Sequence, residues 1–229
     1  MSALTLFLGA AAPRTAARLF PDLLWRRNDG SRTLYLTFDD GPDEATPALL
    51  DLLARYEVPA AFFLLGAPSR RRPDLVRAIR DAGHVVGQHT DTHPDPWKTP
   101  AATVTAEMER ATATLEDVTG EAVRWMRPPY GHFTFAMRAW CRARGQRMVM
   151  WDVMPGDFLS SATAEVVFQR VVGSARPGSV IVLHEGGHAR RVTPTALARA
   201  LPYLLADGYR FASLDPASFD RASLDRAPA

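Results

Sequence analysis

The sequence has a single cysteine, Cys141, in 229 residues, which excludes an internal disulfide and any cluster of thiolates around zinc. Cys141 sits in the apolar-periodic stretch FAMRAWCRA, where the expected role is that of a small buried hydrophobe. Lysine is nearly absent as well: Lys98 is the only one among 27 basic residues. The arginines are spread along the chain and form no basic stripe with interleaved aromatics, so the net charge of +2 does not point to nucleic acid. The one dense run, Arg70-Arg71-Arg72, reads as a solvated loop. No apolar run approaches the roughly 20 residues of a membrane span. The opening MSALTLFLGAAAPRTA has no lysine or arginine ahead of its short apolar core, which makes it a poor secretory signal, and the expectation leans to a cytoplasmic protein.

What is present is ordinary for a globular chain, 47% hydrophobic and 23% charged. Short β-rich runs fall at 34–38, 60–66, 84–89, 122–126, 147–153, 179–184 and 209–214, with helical patterns between them. Thr46-Pro47 and Thr193-Pro194 look like N-caps followed by proline at the first helical position. Gly83, Gly120, Gly145 and Gly208 stand where helices should stop. Strict alternation of strand and helix, with strands apolar on both faces, predicts a parallel sheet covered by helices. Residues 1–30 and 217–229 read as peripheral, leaving one domain over 31–216.

Ionisable residues gather where the strands end. Asp39 and Asp40 close the first, His89 and His93 follow the third, Arg127 the fourth, Asp152 and Asp157 the fifth, and His184 closes the sixth. In an α/β barrel that end carries the active site. His89 and His93 have a spacing that sets two imidazoles on one side of a helical turn, and Asp40 would complete a three-ligand metal site, although two histidines in a polar loop also need no such role. Adjacent Asp39 and Asp40 point in different directions and suit different tasks, one holding a cation and the other acting as a base; a solvated turn with Asp43 and Glu44 capping the next helix is the alternative. Arg127 is suited to keeping Asp39 ionised, and Asp157 to orienting His184 as a general acid.

In order, the blocks TFDDGP, HTDTH, RPPYG, WDVMPGDF and VLH resemble the polysaccharide deacetylases of the NodB-homology group, carbohydrate esterase family four. The resemblance implies a distorted, TIM-like (β/α)7 barrel of the NodB homology fold and a divalent metal, zinc or else cobalt or nickel. It implies hydrolysis of acetyl groups on an acetylated carbohydrate, foremost N-acetyl groups of amino sugars. Carried onto this chain, it makes Asp40, His89 and His93 the metal ligands, Asp39 the base, His184 the acid, Arg127 and Asp157 their partners, and the Tyr130 backbone N–H an oxyanion donor. Pro129, Tyr130, Trp151 and Phe158 would contact substrate. The fourth block departs from the usual Asp-x-x-Asp-Trp, with Met154 for the first aspartate and Phe158 for the tryptophan, and whether Asp152 replaces that carboxylate depends on local strand regularity. Trp97, Tyr130, Phe133 and Trp151 are candidates for a sugar-stacking wall, while His132 and His188 read as loop residues near the cleft rim. Competing readings are an acetyl-ester or non-sugar amide hydrolase, and a carbohydrate-binding pseudoenzyme.

Overall fold

The computed structural model describes residues 19–27 and 30–214; the opening apolar run and the tail at 217–229 lie outside them. The elements in chain order are β1 (Thr33–Asp39), α1 (Thr46–Arg55), β2 (Ala60–Leu64), α2 (Gly66–Arg71), α3 (Pro73–Asp81), β3 (Val85–Gln88), α4 (Ala101–Thr119), β4 (Trp125–Met126), α5 (Phe135–Ala143), β5 (Arg147–Met148), α6 (Ala164–Ser174), β6 (Val180–His184), α7 (Ala189–Ala206) and β7 (Arg210–Phe211). The seven strands pair in parallel, in the order β5-β4-β3-β2-β1-β6 with β7 on the start of β1. This is the curled (β/α) sheet that the alternation predicts.

The pleat decides which side chains enter the barrel. Leu34, Leu36 and Phe38 of β1 join the large core beneath the helices, whereas Tyr35 belongs to the inner cluster with Ala61, Phe63, Trp125, Val149 and Val180. Alternation along β1 therefore puts Thr37 and Asp39 on the inner face, above Tyr35. Strand register does the rest: Asp39 lies beside His184 of β6 on one side and Phe63 of β2 on the other.

The barrel is distorted where β5 should meet β6. The run 147–153 reads as one strand in the sequence, yet only Arg147 and Met148 are regular. Beyond them the chain swings from β4 to β6: the Val149 N–H still donates to Met126 O at 2.8 Å, and Val153 bridges to Ile181. Residues 19–27, expected to be peripheral, fill this seam. Leu23 and Leu24 are buried, Leu24 bridges in parallel to Val149, and Arg26 bridges antiparallel to Ser179.

Both expected threonine caps are corrected. Thr46 is the first residue inside α1 rather than its cap, and Thr193 lies one turn within α7, which starts at Ala189 and carries Pro194 in its interior. Each hydroxyl is committed to a buried carboxylate instead, Thr46 to Glu185 and Thr193 to Asp157, the latter at 2.7 Å. The glycine stops do occur: Gly83, Gly120, Gly145 and Gly208 have φ between 65° and 81°, a conformation in which any side chain is strained.

Candidate active site

The carboxyl ends of β1, β3, β4 and β6 bring one set of polar groups together. Arg127 follows β4, fully buried, and its guanidinium is spent on four fixed acceptors. Nη1 donates to Asp39 Oδ1 and to Thr37 Oγ1, both at 2.7 Å, while Nε and Nη2 donate to the carbonyls of Val149 and Met150 at 3.2 and 3.0 Å. Its plane stacks over Phe63 at 4.2 Å. A buried cation so completely satisfied stabilises a buried anion beside it. Burial alone would raise the Asp39 carboxyl, but Arg127, helped by His89 and His184, holds it below the usual carboxylate range.

Asp40, His89 and His93 present ligand atoms within 4.8 Å of one another. They reach this arrangement without the helical turn that their spacing suggests. Residues 89–94 form an irregular loop in which Thr90 and His93 have φ of 67° and 64°. Asp40 and Tyr130 are likewise left-handed, at 71° and 59°. Four non-glycine residues in a sparsely populated region around one centre are the mark of a site whose geometry outranks local comfort.

The donor chemistry fits a divalent cation. His89 Nδ1 lies 2.6 Å from the Arg127 carbonyl oxygen, to which it donates, so Nε2 is the ring nitrogen left facing Asp40. His93 is pushed down to about 4, by burial first and by His89 next, against the pull of Asp40 and Asp39, which keeps its imidazole neutral. Asp40 Oδ1 is buried with no hydrogen-bond partner, 3.6 and 3.5 Å from the Nε2 atoms of His89 and His93. Two imidazole nitrogens and an orphaned carboxylate oxygen make a nitrogen and oxygen donor set of the kind that zinc takes.

His184 is built differently. Its Nδ1 meets Asp157 Oδ1 at 2.9 Å and its backbone N–H donates to Asp157 Oδ2 at 2.6 Å, while Thr193 donates to the same oxygen. Burial would depress the imidazole, but Asp157, with Asp39 and Asp40, outweighs it and pushes the value up to about 9. The next residue, Glu185, was not singled out in the sequence. Its carboxyl is fully buried, accepts from Thr46, leaves Oε1 without a partner and packs so close to Gly41 that any side chain there would collide with it. A carboxylate directly after an apolar strand's terminal histidine was the available signal.

The expected substrate wall is only partly open. Tyr130 is 56% exposed, with its ring centroid 4.5 Å from that of His93, and Phe158 is 39% exposed, 4.9 Å from His184, so the two rings flank the two histidine groups. Pro129 is buried in the 129–131 turn. Trp151 props that turn from beneath: a Cβ on Gly131 would lie 2.8 Å from its ring. Phe133 packs edge-on against Phe20 at 4.9 Å. Asp152 does not replace the carboxylate lost at Met154. Its oxygens are taken by Arg176, Ser179 and the Val180 N–H at the barrel seam. Asp43 and Glu44 face Arg190. His188 is tied to the Ala162 carbonyl at 2.9 Å, and His132 lies against Trp97.

Comparison with known proteins gives a consistent picture. The Polysaccharide deacetylase family profile matches residues 26–149. A peptidoglycan-N-acetylglucosamine deacetylase of Bacillus cereus is 36% identical over 182 residues, 78% of this chain and 66% of the relative. A chitooligosaccharide deacetylase of Sinorhizobium fredii is 36% identical over 201 residues, covering 82% and 93% of the two chains. Among solved structures, a peptidoglycan N-acetylglucosamine deacetylase superposes with a TM-score of 0.82 at 32% identity over 87% of this chain and 94% of that one. A CE4 family pseudoenzyme of Bacillus anthracis gives 0.78 at 25% identity over 85% and 68%.

Proposed function

The chain belongs to the polysaccharide deacetylase family, and from that membership we propose that it is a metal-dependent hydrolase of carbon–nitrogen bonds that removes acetyl groups from N-acetylated amino sugars in an oligo- or polysaccharide. The observation that carries this reading is the meeting of three groups at one barrel end: Asp40 with His89 and His93, Asp39 on Arg127, and His184 on Asp157. Asp40, His89 and His93 would hold the cation, zinc by the donor set, and a bound zinc supplies Lewis acidity toward the acetyl carbonyl and a lowered pKa for water.

The chain's own residues account for the proton movements. Asp39, kept ionised by Arg127, takes a proton from the attacking water as its oxygen bonds to the acetyl carbon. The negative charge that develops on the carbonyl oxygen is met by the backbone N–H of Tyr130, which lies in the left-handed turn at 129–131 beside His93. His184, kept protonated by Asp157, gives a proton to the leaving nitrogen as the C–N bond breaks, so water and amide become acetate and a free amine. Arg127 and Asp157 act through these two groups as positioning residues.

The test is acetate release from a panel of N-acetylated and O-acetylated sugars by metal-stripped protein reconstituted with zinc, cobalt or nickel. Metal-restored release from the N-acetylated set is expected. Release confined to acetylated xylan would move the reaction to ester hydrolysis, and sugar binding without release under any metal would make the chain a binding protein on an enzyme's scaffold.

A further inference from the structure

An exposed tryptophan beside the site is held by a ring stack and two hydrogen bonds. Trp97, 63% exposed, stacks one face of its indole on His132, with centroids 3.7 Å apart and planes only 4° from parallel. Asp95 clamps both members of the pair through one oxygen: Oδ1 accepts from the Trp97 backbone N–H at 3.0 Å and from His132 Nδ1 at 2.8 Å. The indole N–H donates to the Phe133 carbonyl at 3.2 Å, which fixes the ring's rotation. Lys98 pairs with the second oxygen of Asp95 at 3.2 Å.

With one face covered by His132 and one edge tied to a carbonyl, the exposure of Trp97 is on its opposite face. The platform is also continuous with the site. Ring centroids run from His93 to Tyr130 at 4.5 Å, from Tyr130 to His132 at 5.8 Å, and on to Trp97.

We propose that the free face of Trp97, backed by His132 and clamped by Asp95, is a stacking platform for the sugar next to the one being deacetylated, so that the enzyme favours glycan chains over single amino sugars. This rests on the deacetylase reading above. The axial C–H groups of a pyranose form an apolar face that suits an indole fixed in advance, because no ring freedom is lost on binding. None of the five family blocks contains Trp97, and the platform adds chain-length selectivity to chemistry performed elsewhere.

The experiment compares wild type with Trp97→Ala, Trp97→Phe and His132→Ala, using N-acetylglucosamine and its β-linked tetramer as probes. Binding is followed by calorimetry on the intact protein without added metal, and acetate release on the zinc-loaded protein. Loss of the stack should weaken tetramer binding about five- to tenfold in Trp97→Ala. It should raise the tetramer KM by a similar factor with kcat little changed, and affect the single sugar twofold or less. Trp97→Phe should recover most of the affinity, and His132→Ala should lose about two- to threefold. Equal losses on both sugars, or none, would overturn the platform while leaving the deacetylase reading standing. Tetramer binding that depends on Trp97 in a protein that releases no acetate would sustain the platform and remove the deacetylase. No measurable tetramer binding to wild type would overturn the platform outright.

Discussion

The same side chain is prepared for opposite work on the two sides of the site. On the β1–β3 side, His93 is half-buried against His89, and its imidazole is pushed down to about 4. On the β6 side, His184 is half-buried as well but has Asp157 behind it, and is pushed up to about 9. Burial acts in the same direction on both, so burial does not distinguish them. The difference is the partner: a second imidazole in one case, a carboxylate with two further donors on it in the other. One environment leaves a lone pair for a cation, the other leaves a proton to give away, and the separation of their proton affinities is what assigns the roles.

Breaking the cation side should have the largest effect. His89→Ala removes a ligand whose Nδ1 is fixed by the Arg127 carbonyl, and is expected to lose bound zinc and at least about a thousandfold in kcat. Metal content by atomic absorption is the check, since stoichiometric zinc in this variant would take His89 out of the ligand set. Asp39→Asn should cost a similar factor, about a thousandfold, while zinc stays near one per chain. If zinc were lost there, the tasks of Asp39 and Asp40 would have to be exchanged.

The proton-donor side sharpens the comparison through its pH dependence. Asp39 must be ionised and its affinity for protons is lowered, so the acid limb of kcat/KM should lie below the ordinary carboxylate range. His184 must be protonated and its affinity is raised, so activity should persist until about pH 9 and fall above it. Asp157→Asn removes the charge that opposes burial. The alkaline limb should then move down by more than one pH unit, with a loss of about a hundredfold in kcat, milder than the loss of a zinc ligand. An unmoved alkaline limb would show that some group other than His184 sets it.

How far the sequence revealed all this depends on the distance over which each residue finds its partner. Apolar runs and glycine stops are local features, and the strand and helix alternation and the polar strand ends were legible from them, whereas Arg70-Arg71-Arg72, read as a solvated loop, ends α2 with Arg70 paired to Asp91. Thr46 and Thr193 were misread because each looks like a cap beside its proline, whereas the carboxylates they serve stand 139 and 36 residues away. Leu23 and Leu24 looked peripheral because nothing near them reveals the open seam between β5 and β6 that they fill. The candidate metal cluster was legible as a residue set. With Pro94 following, a turn or a short helix was its expected carrier, and the chain uses an irregular turn with left-handed Thr90 and His93 rather than a helix. Trp97 and His132 were each noticeable alone; that they stack follows only from the meeting of two loops.

The smallest predicted effect concerns Glu185, which puts a carboxyl immediately after His184 and reverses the usual sign for an acid. Burial first, then Asp43, Asp40 and Asp39, push it up to about 8, with Thr46 alone opposing. The folded chain therefore holds this proton more tightly than the unfolded chain, where an ordinary glutamate ionises near 4.5. The stabilisation is complete below that pH and is lost as pH rises toward 8, above which the folded state carries a buried anion beside Asp39 and Asp40. Glu185→Gln keeps the shape and the acceptor for Thr46 but cannot ionise. In the metal-free protein it should change Tm little at pH 4.5 and raise it progressively as pH approaches 8. A Tm difference that does not grow with pH would mean that Glu185 is already ionised in the folded state, and that the region around β6 holds an anion as firmly as it holds the His184 proton.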